Sequence, residues 1–314
     1  MRAMFYRRPG PPDVLEYGDL PEPAISDRQI LVKVHAAGVN PVDGKMRRLR
    51  IRPPWQRFPI IPGSDLSGEV VRVGQKVTRV RSGDAIYAML SPFSGGACAE
   101  YAAVPEGRAA RKPGNLTFDE AATVPVAGLA ALQGLRDLGR IQSGQHVLIN
   151  GASGGVGSFA VQIAKAYGAR VTAVTSSNNI DFVKSLGADR VMDYRLQDFT
   201  QSDTRYDLIF DTVASRSFRE CMPVLTPRGV YVSTLPSAGT ILRMVIGPIV
   251  RGQRARLLTV RARGTDLDAL TERIEAGTVC PYIDRIFPLP KTADAHAYSE
   301  AGHTRGKLVI HVSD

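Results

Sequence analysis

Cysteine is scarce in this chain, and the few thiols are far apart. Cys98, Cys221 and Cys280 show no C-x-x-C spacing, so neither a disulfide framework nor a zinc site built from cysteines is indicated. The histidines show no ligand spacing with a cysteine either; they are His35, His146, His296, His303 and His311. We interpret the cysteines as buried or incidental thiols.

Long apolar runs are also missing. No stretch approaches the ~20 apolar residues that a membrane helix needs, and the N-terminal sequence MRAMFYRRPG has no apolar stretch after its charges. We therefore expect a cytoplasmic protein without a membrane partner. The 314 residues, 44% of them hydrophobic and 22% charged, leave room for two globular domains with a buried core in each.

Acidic residues are fewer than basic ones. The chain has 40 Lys and Arg against 30 Asp and Glu, a net charge of +10, and such an excess raises the hypothesis of nucleic-acid binding. The basic residues are scattered, however. Their densest groups, Arg47–Arg52 and Arg251–Arg256, are short and lack interleaved aromatic side chains. We interpret them as solvated surface, or as an attraction for anionic small molecules, and expect no nucleic-acid partner.

The first 120 or so residues alternate short β-type runs with glycine and proline. This texture predicts a small β-rich barrel or sandwich. The runs cover residues 29–35, 67–73, 84–88 and 99–104. A helix is predicted over 126–138, after a connector.

The texture changes at His146 to an alternation of strands and helices. The predicted strands cover 146–150, 170–175, 190–194, 206–211 and 229–233. The first helix between them follows from the apolar residues Val156, Ala160, Ile163, Ala164 and Tyr167, which share one helix face. Repeated βαβ units predict an α/β domain with a doubly wound parallel sheet, the Rossmann arrangement.

The tail contains a predicted helix, strand, helix and strand, over 266–276, 282–287, 292–301 and 307–312. A terminal strand beside a helix cannot bury both of its faces alone, so we expect the tail to return to the first domain. The predicted domains are therefore 1–122 with 262–314, and 123–261.

The sequence INGASGGVGS, residues 149–158, lies between a predicted strand and a predicted helix. Backbone N–H groups at the start of a helix bind a pyrophosphate where no Cβ intrudes. The predicted phosphate contacts are Ser153, Gly154, Gly155 and Val156. Gly157 is explained by close packing of the helix on the strand. Ala152 stands where a G-x-G-x-x-G fingerprint has its first glycine, which predicts a wider turn.

The end of the next predicted strand indicates which dinucleotide binds. Residues 174–179, VTSSNN, contain no acid before Asp181, whereas an acid at this place binds the ribose hydroxyls of NAD. Hydroxyl groups at a helix start accept a 2′-phosphate, so NADPH is favoured over NADH. The predicted partners of that phosphate are Ser176 and Ser177, with Tyr194 and Arg195 near enough to stack on it or pair with it.

Several motifs in order make the chain resemble the medium-chain dehydrogenase/reductases, in their zinc-free quinone oxidoreductase branch. The motifs are AAGVNPVD (36–43), FPIIPGSD (58–65), SGEVV (67–71), AATVPVAG (121–128), ASGGVG (152–157), LGAD (186–189) and GHTRGKLVI (302–310). The resemblance covers essentially the whole chain. It implies a GroES-like substrate domain beside the Rossmann domain, with the active site in the cleft between them.

The resemblance also bears on the metal and the reaction. Zinc-dependent relatives have a Cys where this chain has Asn40-Pro41 and a His-Glu pair where it has Ser64-Asp65. Without a Lewis acid a simple alcohol is hard to activate. The expected reaction is therefore hydride transfer from NADPH to a small quinone or to the activated C=C bond of an α,β-unsaturated carbonyl (an enone).

Three residues near the first motif are the predicted catalytic groups. Asn40 has an amide that can donate to substrate or nicotinamide, or it is simply the turn residue before Pro41. Asp43 is expected to orient this loop rather than to donate a proton. Lys45 approaches an anionic charge or is solvated. The phenols of Tyr6, Tyr87 and Tyr101 remain alternatives as proton donors.

Other cofactor contacts are implied by the resemblance. They are Val213, Thr234 and Leu235, in turns that follow two strands, and Lys307, which closes over the cofactor. A homodimer is also expected, with Thr240–Val260 at the interface; alternatively Met244–Val250 caps the substrate cleft.

Two further functions stay open. One is reduction of enoyl thioesters or haloacrylates, with the Arg47–Arg52 group at a basic mouth of the cleft. The other is a protein without turnover that senses NADPH or binds nucleic acid.

Overall fold

The described part of the chain comprises residues 1–52, 56–235, 252–302 and 304–313 of a computed structural model. Its strands are β1 (Arg2–Tyr6), β2 (Leu15–Asp19), β3 (Gln29–Val39), β4 (Asp65–Val73), β5 (Ala85–Met89), β6 (Tyr101–Pro105), β7 (Ala109–Arg111), β8 (His146–Asn150), β9 (Arg170–Thr175), β10 (Arg190–Asp193), β11 (Tyr206–Asp211), β12 (Leu225–Ser233), β13 (Arg254–Leu257), β14 (Ile283–Pro288) and β15 (Lys307–His311).

Among the same residues the α-helices are α1 (Pro41–Arg48), α2 (Phe118–Ala122), α3 (Pro125–Gln133), α4 (Gly155–Ala166), α5 (Ile180–Ser185), α6 (Phe218–Cys221), α7 (Gly264–Glu275) and α8 (Thr292–Glu300). A π-helical turn, Gly134–Leu138, continues α3. Short 3-10 helices lie at Pro12–Val14, Glu106–Arg108, Ser177–Asn179, Phe199–Gln201, Met222–Val224 and Leu289–Lys291. None of the described helices is both long and apolar enough to cross a membrane.

The chain divides into two compact units. The first comprises residues 1–129, 261–277 and 281–314, and the second comprises 130–260 with 278–280. The predicted boundaries lay at 122/123 and 261/262. The chain leaves the first unit within α3, because the first residues of that helix contact the β-rich part of the chain.

A seven-stranded sheet forms the first unit. Its order is β14-β15-β3-β4-β5-β7, with β6 also paired to β3, and all its pairs are antiparallel except β14 with β15. Its core contains fully buried aliphatic side chains from neighbouring strands, among them Ile30, Val32, Leu66 and Ile86. The predicted β-rich domain is confirmed, and β15 from the tail lies inside its sheet.

The basic group at the end of α1 is not the solvated surface that we predicted. Arg47 is fully buried and donates to His296 Nδ1 and to Glu300 Oε1, each at 2.5 Å, so it joins α1 to α8. Arg52 places its guanidinium 5.3 Å from the ring centroid of Tyr6. The prediction is wrong for these two arginines because Arg47 on α1 packs against α8 and Arg52, which follows α1, lies over the Tyr6 ring of β1. The other two arginines of the group are exposed.

A six-stranded parallel sheet forms the second unit, in the order β10-β9-β8-β11-β12-β13. Counted from β8, this is the order 3-2-1-4-5-6, so the predicted doubly wound α/β domain is confirmed. The order reverses between β8 and β11. In such sheets, ligands bind in the crevice outside the carboxyl ends of the strands at this reversal.

The predicted dimer interface is described only in part. Residues 240–251 of that interface, including the apolar segment Met244–Val250, lie outside the described residues. The remainder, residues 252–260, contains β13, which pairs in parallel with β12 at one end of the sheet. Cys98 and Cys221 are free thiols and are buried, whereas Cys280 is exposed.

Candidate functional site

The glycine turn after β8 is tighter than the sequence indicated. Gly151, the first residue after the strand, has a φ of +78°, a left-handed conformation that favours glycine. Its carbonyl accepts a hydrogen bond from the N–H of Gly154 at 3.1 Å, and α4 begins at the next residue. Ala152 is fully buried, and its N–H donates to Val174 O at 3.0 Å. The glycine of the tight turn is therefore Gly151, one residue before the position that we compared with the fingerprint.

Gly154 and Gly157 have different structural roles in this turn. A Cβ on Gly157 would lie 2.1 Å from Gly151 O and 2.7 Å from Ala152 Cα, so this glycine lets α4 pack on the turn. A Cβ on Gly154 would lie 3.4 Å from Gly151 O, close to ordinary van der Waals contact. Packing within the chain therefore does not require Gly154 to be glycine.

The N-terminus of α4 is open to an anion. Gly154 has no side chain to cap the helix, and its carbonyl accepts the N–H of Ser158 at 2.9 Å as the first bond of the helix ladder. The N–H groups of the three residues between them have no partner in that ladder. Together with the helix dipole they form a cradle that fits a pyrophosphate.

Hydroxyl groups surround the carboxyl end of β9. Thr175 donates from Oγ1 to Ser153 Oγ at 2.8 Å, and Asn179 donates from Nδ2 to Ser176 Oγ at 3.2 Å. Ser177, exposed to solvent, begins the 3-10 helix that leads into α5. The structure thus brings three of the predicted cofactor residues to one strand end.

The neighbouring strand adds an aromatic ring and a cation. β10 pairs in parallel with β9, with Asp193 opposite Thr175, and ends beside it. Tyr194 follows directly and is 58% exposed. The guanidinium of Arg195 lies 5.8 Å from the centroid of the Tyr194 ring. The predicted residues Ser177 and Tyr194 therefore belong to the same edge of the sheet.

A buried aspartate holds the turn after β11, and we did not predict it. Asp211 Oδ1 accepts the N–H groups of Val213 at 3.1 Å and of Ala214 at 2.7 Å. The same oxygen accepts Asn150 Nδ2 at 2.9 Å, and Oδ2 accepts the hydroxyl of Tyr231 at 3.0 Å. Asp211 thereby holds Ala214 at a φ of +57°, which is unfavourable for a residue with a Cβ.

This turn lies against the glycine turn at the reversal of the strand order. A Cβ on Gly151 would lie 2.4 Å from Val213 Cγ2, and Val213 is 52% exposed. Thr234 donates from Oγ1 to Thr212 O at 3.1 Å, and Leu235 donates from N to Ser233 Oγ at 3.3 Å. Val213, Thr234 and Leu235 therefore share the carboxyl edge of the sheet with the glycine turn.

In the first unit a buried polar cluster surrounds Asn40; it comprises Asn40, Asp43, Ser64, Asp65 and Lys307. Asn40 donates its backbone N–H to Asp43 Oδ2 at 2.8 Å, and Ser64 Oγ donates to Asp43 Oδ1 at 2.9 Å. Asn40 Nδ2 donates to Asp65 Oδ2 at 2.9 Å. Lys307 Nζ donates to Asn40 Oδ1 at 2.6 Å. All five residues are nearly inaccessible to solvent.

Burial dominates the electrostatics of this polar cluster. It raises the pKa of Asp43 to about 7, opposed by the N–H of Asn40 and reinforced by the charge of Asp65. It also raises the pKa of Asp65, against the opposing charge of Lys307. Near neutral pH Asp43 is therefore divided between its protonated and ionised forms.

Of the remaining predicted residues, Lys45 and Tyr87 lie outside this polar cluster, whereas Lys307 belongs to it. Lys45 is exposed on α1, two residues after the buried Asp43, and so lies on the opposite side of the helix. Lys307 is buried beside Asn40. The cofactor role that we predicted for it stays a prediction. Tyr87 is fully buried and donates from its hydroxyl to Leu267 O at 2.6 Å, which indicates a structural role.

The sequence predicted Asn40, Asp43 and Lys307 as site residues, but it did not predict Ser64 and Asp65, nor that Lys307 contacts Asn40. Asp65 lies 25 residues from Asn40 and Lys307 lies 267 residues from it. No local pattern joins residues so far apart. Among the described residues no group of three His, Cys, Asp or Glu side chains is placed to hold a metal ion.

Family models match both parts of the chain. One described as "Alcohol dehydrogenase GroES-like domain" matches residues 26–133, and one described as "Zinc-binding dehydrogenase" matches residues 186–310. The first covers much of the β-rich unit. The second begins within the α/β unit and reaches into the tail.

Full-length relatives are similar over nearly the whole chain. The "Chloroplast envelope quinone oxidoreductase homolog" of Arabidopsis thaliana is 35% identical over 307 residues, which are 94% of this chain and 93% of that protein. The "NADPH-dependent alkenal/one oxidoreductase, chloroplastic" of Arabidopsis thaliana is 34% identical, over 99% of this chain and 79% of that protein. The solved structure of the quinone oxidoreductase from Coxiella burnetii is 33% identical, with a TM-score of 0.89 and 99% of each chain covered.

Proposed function

Because the chain belongs to the medium-chain dehydrogenase/reductase superfamily, in its quinone oxidoreductase branch, we propose that it reduces quinones or α,β-unsaturated carbonyl compounds with NADPH. Relatives named for these two activities cover nearly the whole chain. When bound, NADPH supplies the hydride from the C4 position of its nicotinamide. The chain's own residues bind that cofactor, orient the acceptor and stabilise the charge that develops on it.

The observation that carries the proposal is the open N-terminus of α4 beside the reversal of strand order. Gly154 leaves the cradle clear, and Gly157 lets the helix pack on the turn. The pyrophosphate of a dinucleotide matches the unpaired N–H groups there in charge and in geometry. We propose that Val213, exposed on the adjoining turn, contacts the nicotinamide half of the cofactor.

The end of β9 supports NADPH rather than NADH. Ser176 and Ser177 offer hydroxyl groups where an acid would repel a 2′-phosphate, and Tyr194 with Arg195 follows the neighbouring strand. An arginine pairs well with a phosphate dianion. We propose that these four residues hold the 2′-phosphate.

On the acceptor side we propose that Asn40 donates a hydrogen bond to the carbonyl oxygen. One proton of its NH2 group is bonded to Asp65, and the other is left for the acceptor. Negative charge builds on that oxygen as the hydride arrives, and a donor held in place stabilises it without reorganising. Asp43 holds the loop through the N–H of Asn40. Lys45, exposed nearby on α1, has a smaller proposed role, the attraction of anionic charge.

We propose that the reaction needs no zinc. Zinc in proteins is bound by thiolate, imidazole and carboxylate groups. Asn40 and Ser64 occupy two positions at which zinc-dependent relatives have a zinc ligand, and their side chains are an amide and a hydroxyl. Both side chains are already hydrogen-bonded within the chain. Metal analysis of the purified protein and activity after chelation test this point. Activity that disappears with the metal and returns with added zinc contradicts it.

The decisive experiment is a screen of NADPH and NADH oxidation against quinones, enals, enones and enoyl thioesters. We expect turnover with a quinone or an enone and a preference for NADPH. Turnover confined to enoyl thioesters would assign the alternative substrate class. Tight NADPH binding without oxidation in any arm would refute the enzymatic proposal.

A single charge tests the assignment of the 2′-phosphate. Ser177→Asp places a carboxylate at the proposed site and is expected to raise the KM for NADPH by at least ~10-fold, about 1.4 kcal/mol, with the KM for NADH little changed. Gln142→Glu adds the same charge before the amino end of β8 and serves as the matched control. Equal effects of the two variants on NADPH would contradict the assignment.

We also propose a homodimer that uses the β13 end of the six-stranded sheet. Among the described strands only β12 pairs with β13, and we propose that a second copy pairs with the other edge of β13. Light scattering coupled to size exclusion measures the mass. A monomer at micromolar concentration contradicts this proposal.

A further inference from the structure

Lys307 makes its shortest contact with an amide rather than with a carboxylate. Its ammonium lies 2.6 Å from Asn40 Oδ1, 3.0 Å from Val39 O and 3.4 Å from Asp65 Oδ2. A lysine present only to neutralise a buried aspartate would be expected to place its nitrogen closest to the carboxylate. Here the side-chain oxygen of Asn40 takes the best position on the ammonium.

Asn40 is therefore held between opposite charges. Its oxygen faces the ammonium of Lys307, and its NH2 group donates to the carboxylate of Asp65 at 2.9 Å. Rotating the carboxamide by half a turn would set its oxygen against the carboxylate and its NH2 group against the ammonium. Both contacts would become repulsive in a region almost free of water, so one orientation is strongly preferred.

The backbone holds both charged partners in place. β15 pairs antiparallel with β3, with Leu308 opposite Val39, so Lys307 lies across the sheet from Asn40. Asp65 Oδ1 accepts the N–H of Val126 at 2.8 Å, in the first turn of α3. A helix N-terminus favours a negative charge at that place. The two charges are thus fixed on either side of Asn40 by the sheet and by a helix.

We propose that Lys307 and Asp65 are positioning residues that set the orientation of the Asn40 carboxamide and so present its second N–H to the acceptor. The inference rests on the proposed function, since it gives Asn40 its role towards the substrate. It assigns Lys307 to the orientation of this donor instead of to closure over the cofactor. Without the ammonium, the amide can turn its oxygen towards the acceptor and repel the developing negative charge.

The kinetic test compares three lysine variants. Lys307→Met removes the donor and is expected to lower kcat about 10- to 100-fold, because a displaced catalytic group costs about that much, while the Kd for NADPH changes less than about twofold. Lys307→Gln keeps a neutral donor and is expected to recover most of kcat. Lys76→Met, an exposed lysine of the same unit, is the matched control. A Lys307→Met variant that loses NADPH affinity and keeps kcat would overturn the inference.

A spectroscopic test does not depend on turnover. In protein labelled with ¹⁵N at asparagine, the Asn40 NH2 group should give two well-separated proton signals, since only one proton is bonded to Asp65. In Lys307→Met the two signals should change or be averaged, and in Lys307→Gln they should be retained. Unchanged signals in Lys307→Met would refute the orienting role. If no acceptor is reduced at all, the proposed function fails, and this measurement still decides the orientation.

If Lys307→Met does not fold, a double variant replaces it in the test. The single variant leaves Asp65 without its cation, and an unpaired buried charge is strongly destabilising. The double variant Lys307→Met/Asp65→Asn removes both charges together. It should fold, show a reduced kcat and show altered Asn40 signals. Wild-type kcat with wild-type signals in the double variant would overturn the inference.

Discussion

Alanine at two glycines of the turn after β8 should produce two different defects. At Gly157 the new Cβ would lie 2.1 Å from Gly151 O, a backbone atom that cannot move without moving the turn. At Gly154 it would lie 3.4 Å from the same oxygen, and the backbone there, with φ −78° and ψ 177°, suits alanine. The first change is therefore steric within the chain. The second projects a methyl group at the start of the cradle.

The magnitudes follow from these distances. Gly157→Ala gains about 1 kcal/mol of helix propensity and loses up to about 3 kcal/mol to overpacking. A net loss of about 2 kcal/mol corresponds to a fall in Tm of roughly 4–8 °C. Gly154→Ala should leave Tm within about 2 °C, because no internal contact is violated. Its methyl group should weaken NADPH binding by at least ~10-fold, or 1.4 kcal/mol.

Thermal unfolding without cofactor and calorimetric titration with NADPH separate the two effects. Each variant is the control of the other, since both add one methyl group to the same turn. The reasoning is refuted if Gly154→Ala binds NADPH as tightly as the wild type. It is equally refuted if Gly157→Ala unfolds at the wild-type temperature.

Three further changes test the charges and the strain. Because burial raises the pKa of Asp43 to about 7 from 3.8, the native state keeps a proton that the unfolded chain releases, so stability falls as pH rises from about 4 to 7. Asp43→Asn should remove up to about 1.4 kcal/mol per pH unit of that fall, and equal pH slopes in urea unfolding would contradict it. Arg47→Met should cost about 3 kcal/mol, because Arg47 is fully buried against Glu300. Arg48→Met, an exposed partner of the same carboxylate, should cost less than about 1 kcal/mol, and similar losses would show that burial does not matter here. Ala214→Gly should stabilise the chain by about 0.5–1 kcal/mol by relieving the φ of +57°, and a lower Tm would count against the strain.

The α/β unit could be predicted well because its signal is local. β9 and β11 have the predicted bounds, since each is an apolar run between polar turns. The pair β1 and β2 was missed because β1 is followed by the charged and proline-rich sequence RRPGPP, and β2, LEYGD, contains a glycine and two acidic residues. α1 was also missed, because eight residues with a glycine among them give too few turns for periodicity to appear.

The site could be predicted only where the residues that form it lie close together in the sequence. The cradle of α4 and the hydroxyl groups after β9 are each contained in a short segment. Arg47 could not be recognised as buried, because His296 and Glu300 are about 250 residues away. Asp65 was missed as a partner of Asn40 for the same reason, and Lys307 was predicted as a cofactor contact without its bond to Asn40. The position of the tight-turn glycine was placed one residue too late, at Ala152 instead of Gly151, because a sequence pattern carries no dihedral angles.

The position of Lys307 late in the chain affects how the protein is made. Asn40 and Asp65 leave the ribosome long before the strand that supplies the ammonium, and that strand lies between β14 and β3 in the finished sheet. Until it is inserted, Asp43 and Asp65 lack the counter-charge of Lys307. Closing the sheet around them before that point would bury a negative charge without its cation, which is strongly unfavourable. A ribosome-stalled or truncated chain that ends before β15 should remain incomplete at this polar cluster, so reductase activity would report on chains whose synthesis has passed that strand.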